Sequence, residues 1–237
     1  CSPFLGGGSI ELALAEKGIQ VYGYDTFEPL IWFWRALLGN PEALAKEADS
    51  LRKYKDYYYG HRGLPKDDFN LIKEELRNEK EYSLQNAAKF YALNRSSFSG
   101  ATLSGGWSKR ASYERFTDSS ITRVREFSQP KLYVAAQHFK HSIPAHPKTF
   151  LYLDPPYLLG KDRENLYGNA GSKHKGFDHA GLVNILKERD NWILSYNNCP
   201  EILKLYEGYD ILYPDWKYGM SSDKDSKEVL IINKGNK

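Results

Sequence analysis

Helix-like and strand-like segments alternate at both ends of this chain, and this pattern restricts its fold more than any other feature. The spacing of apolar residues predicts helices at 9–17 and 27–38 around a strand at 19–25. The alternation resumes later, with strands at 149–153, 192–196, 209–213 and 229–232 and helices at 178–189 and 200–206. Such alternation is typical of a layered α/β domain with a mostly parallel sheet.

The middle of the chain interrupts this alternation. Its apolar periodicity predicts three helices, at 42–58, 67–79 and 83–93, followed by a Ser-, Gly- and Thr-rich, loop-like region at 95–128. A helix is predicted again at 130–141, and a polar, glycine-rich loop at 160–176. We therefore expect a main domain formed by residues 1–41 and 129–237, with residues 42–128 inserted into it.

Composition excludes several classes of protein. With 237 residues, of which 41% are hydrophobic, the chain can bury one good core and a smaller satellite. No apolar run approaches the roughly 20 residues that span a bilayer, and the first residues lack the features of a signal peptide. Cys1 and Cys199 fit neither a disulfide nor a zinc pattern. We expect no metal, no membrane partner and a cytoplasmic location, which is a host's cytoplasm if the protein is phage-encoded.

Positive charge is concentrated in one region. Residues 95–148 contain nine lysines and arginines against three acids, so they carry +6 while the rest of the chain carries −3. A basic segment on a mildly acidic protein is typical of a surface that binds a polyanion. The alternative is an ordinary solvated surface. We expect Lys109, Arg110 and Arg115, together with Trp107, to lie on this polyanion-binding surface.

A glycine-rich turn follows the first residues. Phe4-Leu5-Gly6-Gly7-Gly8-Ser9 precedes a predicted helix, and the next predicted strand ends at Asp25. Glycines allow close approach of a ligand, the helix N-terminus offers free N–H groups, and an acid at a strand end can bind ribose hydroxyls. NAD, FAD and S-adenosylmethionine all remain open as ligands, although the spacing is not G-x-G-x-x-G, which disfavours a dinucleotide.

The tetrapeptide Asp154-Pro155-Pro156-Tyr157 follows a β-rich run, so it is expected at the carboxyl edge of the sheet, where ligands of open α/β sheets bind. The consecutive prolines fix the backbone and remove two donors. An amino group on an aromatic ring needs two acceptors, which the Asp154 carboxylate and the Pro155 carbonyl can supply, while Tyr157 can stack on the ring. A Pro-rich turn with an Asp cap is the structural alternative.

Together these segments resemble the DNA adenine methyltransferase (Dam) family of Rossmann-like methyltransferases, nearly from end to end. The blocks occur in the family's order: residues 2–9, Tyr24-Asp25, Asn94-Arg95 with Phe98-Ser99-Gly100, residues 154–157, Phe177-Asp178-His179 with Leu182, and residues 194–198. The resemblance implies a Rossmann-like methyltransferase fold with a mostly parallel sheet and an inserted helical and loop-rich target-recognition region. It also implies site-specific methylation of adenine N6 in double-stranded DNA.

The resemblance assigns roles to individual residues. S-adenosylmethionine would be bound by Ser2, Pro3, Phe4, Gly6, Gly7, Gly8, Ser9, Asp25, His138 and Phe139. Asp154, Pro155, Pro156 and Tyr157 would form the catalytic site for an adenine flipped out of the duplex. Asn94 and Arg95 would open the DNA-binding region that includes Trp107, Lys109, Arg110 and Arg115.

The sequence departs from the family in three places. The family has a segment before the glycine motif, so a preceding segment or a second chain is expected to complete the cofactor site. His138 replaces the family's Asp sixteen residues before Asp154, and residues 101–108 differ from the members that recognise GATC, so GATC is not predicted. A restriction endonuclease is a further candidate partner.

Other functions remain open from the sequence. An enzyme that methylates adenine in RNA, or N4 of cytosine, could use a similar site, although cytosine-N4 enzymes more often have Ser at the position of Asp154. A DNA-binding subunit with a degenerate methyltransferase fold is the alternative from another class. The altered position at His138 favours this alternative, and the intact motif at 154–157 disfavours it.

Overall fold

The fold is given by a computed structural model that describes residues 1–158, 176–214 and 228–235. Within these ranges the chain is mixed α/β, which confirms the predicted fold class at that level. No helix in the part of the chain that the structure describes has the length and apolar character needed to cross a bilayer. Apart from Gly176, the loop predicted at 160–176 lies outside the described residues.

Eight strands are present in the described ranges. They are β1 (Val21–Asp25), β2 (Lys53–Lys55), β3 (Arg62–Gly63), β4 (Leu132–Ala136), β5 (Leu151–Leu153), β6 (Trp192–Asn197), β7 (Asp210–Leu212) and β8 (Glu228–Asn233). Strand β1 pairs in parallel with β4, and β5 pairs in parallel with β6. Strand β8 is antiparallel to both β6 and β7, between which it lies. The short β2 and β3 form a separate antiparallel hairpin.

The first two residues lie between β1 and β5. Ser2 N donates to the Tyr22 carbonyl at 2.8 Å and Tyr24 N donates to the Ser2 carbonyl at 2.7 Å, which makes a parallel bridge to β1. On the other side, Tyr152 N donates to the Cys1 carbonyl at 3.0 Å. The glycine turn that follows residue 5, the end of β1 and the residues after β5 are therefore neighbours at one edge.

Ten α-helices occupy the described ranges. They are α1 (Ser9–Glu16), α2 (Glu28–Gly39), α3 (Pro41–Ser50), α4 (Lys66–Asn78), α5 (Leu84–Ser96), α6 (Lys109–Glu114), α7 (Asp118–Arg125), α8 (Phe139–Ala145), α9 (His179–Lys187) and α10 (Pro200–Leu205). The elements predicted at the two ends of the chain are confirmed, with small shifts of their boundaries. The region 95–128, predicted as loop-rich, contains the two short helices α6 and α7 as well as loops.

Two predicted helices were wrong in part. The helix predicted at 42–58 ends at Ser50, because Asp56 closes a turn by accepting from the N–H groups of Tyr58 and Tyr59, and the flanking residues pair as the β2–β3 hairpin. The segment predicted as a helix at 130–141 begins instead with β4, which completes a parallel ladder with β1. Helix α8 starts only after His138, its N-cap residue.

Apolar side chains form two buried clusters. One joins β1, β4 and the first helices with α3, α4, α5 and α7, and includes Trp34, Leu44 and Leu93. The other surrounds β5, β6, β8 and α9, and includes Trp192 and Leu194. Helices of the predicted insertion therefore share a core with α2 and β1, and the division of the chain at residues 42 and 128 stays a prediction.

Candidate active site

A cavity of about 440 Å³ opens where the glycine turn, the end of β1 and the residues after β5 meet. Most of the predicted cofactor-binding residues and all four predicted catalytic residues line it. The lining residues are Pro3, Phe4, Leu5, Gly6, Gly7, Gly8, Ser9, Ile10, Glu11, Asp25, Thr26, His138, Phe139, Tyr152, Asp154, Pro155, Pro156, Tyr157, Phe177 and Glu228. The fold thus brings the two sequence motifs into one site.

The glycine turn is held by a tryptophan from α2. Gly8, the N-cap of α1, has φ +71°, and a Cβ at this position would lie 2.6 Å from the Trp34 ring. The indole N–H of Trp34 donates to the Gly6 carbonyl at 3.1 Å. Gly8 is therefore required both by its left-handed backbone and by the close approach of Trp34.

Asp25 is fixed at the end of β1. Its Oδ2 accepts from Gly6 N at 3.1 Å and its Oδ1 accepts from Phe27 N at 2.8 Å. These two bonds orient the carboxylate beside the glycine turn, where it lines the cavity. Because each carboxylate oxygen has two lone pairs, Asp25 can still accept from hydroxyl groups of a ligand.

Three phenylalanine rings form an apolar wall of the cavity. Phe4 lies 5.7 Å from Phe139 and 5.6 Å from Phe177 between ring centroids, and Phe139 lies 5.4 Å from Phe177. These separations are ordinary for interacting aromatic side chains. The wall is an apolar surface close to Asp25, on which a flat ring such as a purine could pack.

The segment 154–157 is tied to the second half of the sheet. The Tyr157 hydroxyl donates to Glu228 Oε1 at 2.8 Å and lies 3.2 Å from Ser195 Oγ. Its ring stacks on that of Tyr196 at 6.0 Å between centroids. The Asn197 side chain accepts from Leu158 N at 3.0 Å and donates to the Leu158 carbonyl at 2.8 Å, so both sides of this backbone position are held.

Carboxylates dominate the electrostatics of the cavity. Four acids line it, Glu11, Asp25, Asp154 and Glu228, and none of the described lining residues is a lysine or arginine. The Asp154 side chain is exposed to water within the cavity. Partial loss of hydration beside the surrounding protein, together with the carboxylates of Glu228 and Glu11, nevertheless raises its pKa to about 6. Burial also raises the pKa of Glu11 and that of Tyr157. A positively charged ligand is therefore favoured.

Two of the predicted cofactor-binding residues, Ser2 and His138, also have structural roles. Ser2 is buried in the bridge to Gly23 and does not line the cavity. His138 lines the cavity, and its Nδ1 accepts from Lys140 N at 3.2 Å as the N-cap of α8. A neutral imidazole can make this cap. His138 can therefore stand where the resemblance implies an Asp without placing a charge at the N-terminus of α8.

Sequence reasoning missed Glu11 and Glu228. Glu11 had a visible signal, because an acid between Ile10 and Leu12 lies within the apolar part of a predicted helix. Glu228 had none, since it is 71 residues from the tyrosine it binds. Phe177 was noted as part of a family block, but its place in the aromatic wall follows only from the fold. The other lining residues not predicted are Leu5, Ile10, Thr26 and Tyr152.

Four of the predicted DNA-binding residues bond to the protein's own backbone. Asn94 donates to the Gly100 carbonyl at 3.1 Å, and Arg95 donates twice to the Arg115 carbonyl, at 3.0 and 2.9 Å. Arg115 itself donates to a backbone carbonyl of the loop after α5. The Trp107 indole N–H donates to the Leu64 carbonyl at 2.9 Å. These contacts shape the region 94–115, and none of the four lines the cavity.

Lys109 and Arg110 lie at the surface. Lys109 pairs with Asp56 at 3.0 Å, and Arg110 pairs with Glu114 at 2.7 Å while its side chain stays 79% exposed. Exposed pairs of this kind are weak and exchange readily with other anions. Both side chains are therefore free to contact phosphate, which stays a prediction. Phe98, 71% exposed, lies in the same region.

No group of three metal-binding side chains occurs in the described ranges. Among families of known proteins, the family model for D12 class N6 adenine-specific DNA methyltransferases matches residues 1–220. A comparison with the curated proteins returned no match.

Proposed function

The chain belongs to the D12 class N6 adenine-specific DNA methyltransferase family, and we propose that it transfers a methyl group from S-adenosylmethionine to an adenine flipped out of double-stranded DNA. The observation that carries this proposal is the single cavity shared by the glycine turn, Asp25 and residues 154–157. The strand order supports a Rossmann-like methyltransferase sheet, in which Cys1 and Ser2 connect β5 to β1 through backbone hydrogen bonds.

The cavity fits the chemical groups of S-adenosylmethionine. Asp25, already oriented by Gly6 and Phe27, would accept from the ribose hydroxyls. The wall of Phe4, Phe139 and Phe177 would hold the purine ring. The glycine turn would leave room for the chain that carries the sulfur. The excess of carboxylates suits a molecule with a positively charged sulfonium.

Residues 154–157 would hold the target base. The Asp154 carboxylate and the Pro155 carbonyl would accept hydrogen bonds from the N6 amino group, and Tyr157 would stack on the adenine ring. When bound, the cofactor supplies a methyl group on a positive sulfur; its transfer leaves a neutral thioether and releases one proton from N6. With a pKa of about 6, Asp154 is ionised at neutral pH and can accept this proton. Alignment of N6 by these contacts is the main contribution of the protein to the rate.

DNA would lie over the opening of the cavity. Lys109 and Arg110 would contact phosphates from the surface of α6, and the loops between α5 and α6 would approach the groove. The backbone bonds of Asn94, Arg95 and Arg115 would keep these loops in one shape. A DNA substrate favours a cytoplasmic location for the protein. A restriction endonuclease stays a predicted partner of the enzyme.

One experiment tests the proposal. The purified protein is incubated with plasmid DNA and S-adenosylmethionine, and N6-methyladenine is measured by mass spectrometry and mapped by single-molecule sequencing. We expect methylated adenines in one sequence context. An RNA of the same sequence serves as the competing substrate, and methylation confined to it would support the RNA enzyme. Cofactor binding without methylation of either would support a degenerate subunit.

A further inference from the structure

Glu11 has an unusual orientation in α1. The side chain is 3% exposed and lines the cavity, whereas the neighbouring Ile10 is 44% exposed. A helix at the edge of a domain normally buries the isoleucine and exposes the glutamate. Burial of a carboxylate is costly unless a partner compensates the charge. The reversed order at these two positions therefore requires a reason beyond packing.

The groups beside the Glu11 carboxylate are neutral: the Ser2 hydroxyl and the backbone N–H of Glu11 itself both lower its pKa. By strict hydrogen-bond geometry, Oε1 of Glu11 and the buried Oγ of Ser2 are unsatisfied in the part of the chain that the structure describes. The backbone nitrogen of Cys1 donates to the Phe150 carbonyl at 2.8 Å. Neither of the neutral groups, the Ser2 hydroxyl and the Glu11 N–H, offsets the charge of the carboxylate, which lines the cavity.

The described lining of the cavity contains no positive side chain that could offset this charge. No lysine or arginine is among the described lining residues, and the other charged groups there are Asp25, Asp154 and Glu228. Glu11 and Asp154 both line this cavity, so the two carboxylates face a shared volume. That volume is where the methyl group and the adenine N6 must meet in the proposed function.

We propose that Glu11 is a specificity-determining residue whose carboxylate makes the cavity select the cationic sulfonium cofactor over its neutral thioether product. The inference rests on the proposed function. The cofactor loses its positive sulfur charge when the methyl group leaves, so a fixed negative charge beside it binds the two forms unequally. Glu11 thereby helps the product to leave after each turnover.

Isothermal titration calorimetry tests this selection without relying on activity. The ligands are S-adenosylmethionine, the neutral product S-adenosylhomocysteine, and sinefungin, which has a protonated amine near the position of the sulfonium. We expect Glu11→Gln to weaken S-adenosylmethionine and sinefungin on the order of tenfold. The affinity for S-adenosylhomocysteine should stay within about twofold, because that ligand lacks the charge.

Matched variants separate charge from structure. Glu16→Gln removes the same charge from an exposed position of the same helix, and should leave the ratio of the two dissociation constants unchanged. Glu11→Asp keeps the charge and should retain most of the selection. If the amide variant does not fold, Glu11→Met replaces it, because an apolar side chain needs no buried partner. Its expected loss of selection is the same.

Two results would overturn the inference. One is an unchanged ratio of dissociation constants in the Glu11 variants. The other is an equal loss of affinity for the charged and neutral ligands, which would mean that Glu11 supports the shape of the site or binds a group common to both. Failure of the wild-type protein to bind any of the three ligands would instead overturn the proposed function, and the inference with it.

Discussion

Lowering the pH from 7 to 5 is expected to slow methyl transfer about tenfold. The pKa of Asp154 is raised to about 6 by burial and by the carboxylates of Glu228 and Glu11. Either form of the carboxyl group can accept a hydrogen bond from N6, but only the ionised carboxylate can take up the proton that N6 releases. With a pKa of about 6, the ionised fraction is roughly 90% at pH 7, 50% at pH 6 and 10% at pH 5. The rate should follow this fraction.

The assay is the single-turnover rate of tritiated methyl transfer to DNA at saturating cofactor, measured from pH 5 to pH 8. Glu228→Gln removes one of the negative charges that raise the pKa of Asp154, so the midpoint should move to lower pH. The amide can still accept from the Tyr157 hydroxyl, which keeps the contact of that ring. Asp210→Asn, an exposed change on the neighbouring β7, is the matched control and should leave the midpoint in place.

A rate that stays constant from pH 7 to pH 5 would refute the role of Asp154 as the ionised acceptor. A midpoint near 6 that Glu228→Gln does not move would refute the electrostatic account of the raised pKa, while leaving the acceptor role intact.

Three further substitutions test other parts of the site. Asp154→Ala should reduce methyl transfer on the order of 100-fold or more with an unchanged melting temperature; near-normal turnover would contradict the assignment. Asp25→Ala should weaken S-adenosylmethionine binding by roughly 1.5–3 kcal/mol in calorimetry, and an unchanged dissociation constant would show that the ribose is held elsewhere. Arg110→Ala should lower the slope of log affinity for DNA against log salt by about one. Arg115→Ala should instead lower the melting temperature, because its guanidinium bonds to a backbone carbonyl. A lower melting temperature for Arg110→Ala and a lower salt slope for Arg115→Ala would contradict these two roles.

Local signals were sufficient to predict the outline of the site. Residues 154–157 follow a short β-rich run and contain two prolines, and Asp25 ends a strand after a glycine turn. Both signals depend only on neighbours in sequence, and the structure brings both into one cavity. Their roles in catalysis and cofactor binding stay predictions until they are tested.

Contacts between distant segments explain what the sequence could not show. The segment 132–136 is a strand because β1 offers it a parallel partner about 110 residues earlier, and no local pattern reveals that register. The helix predicted from residue 42 stops early because Asp56 stabilises a turn through two backbone N–H groups. Glu228 reaches the site only through the insertion of β8 between β6 and β7.

The position of β8 also bears on when the enzyme can become active during its own synthesis. This strand is the last of the described elements, yet it lies inside the sheet and carries the acceptor for the Tyr157 hydroxyl. Until it is inserted, β6 and β7 each present a backbone edge without a partner. A growing chain can therefore complete the first core and the glycine turn well before residues 154–157 are held in place. Completion of the half of the fold that contains these residues waits for β8.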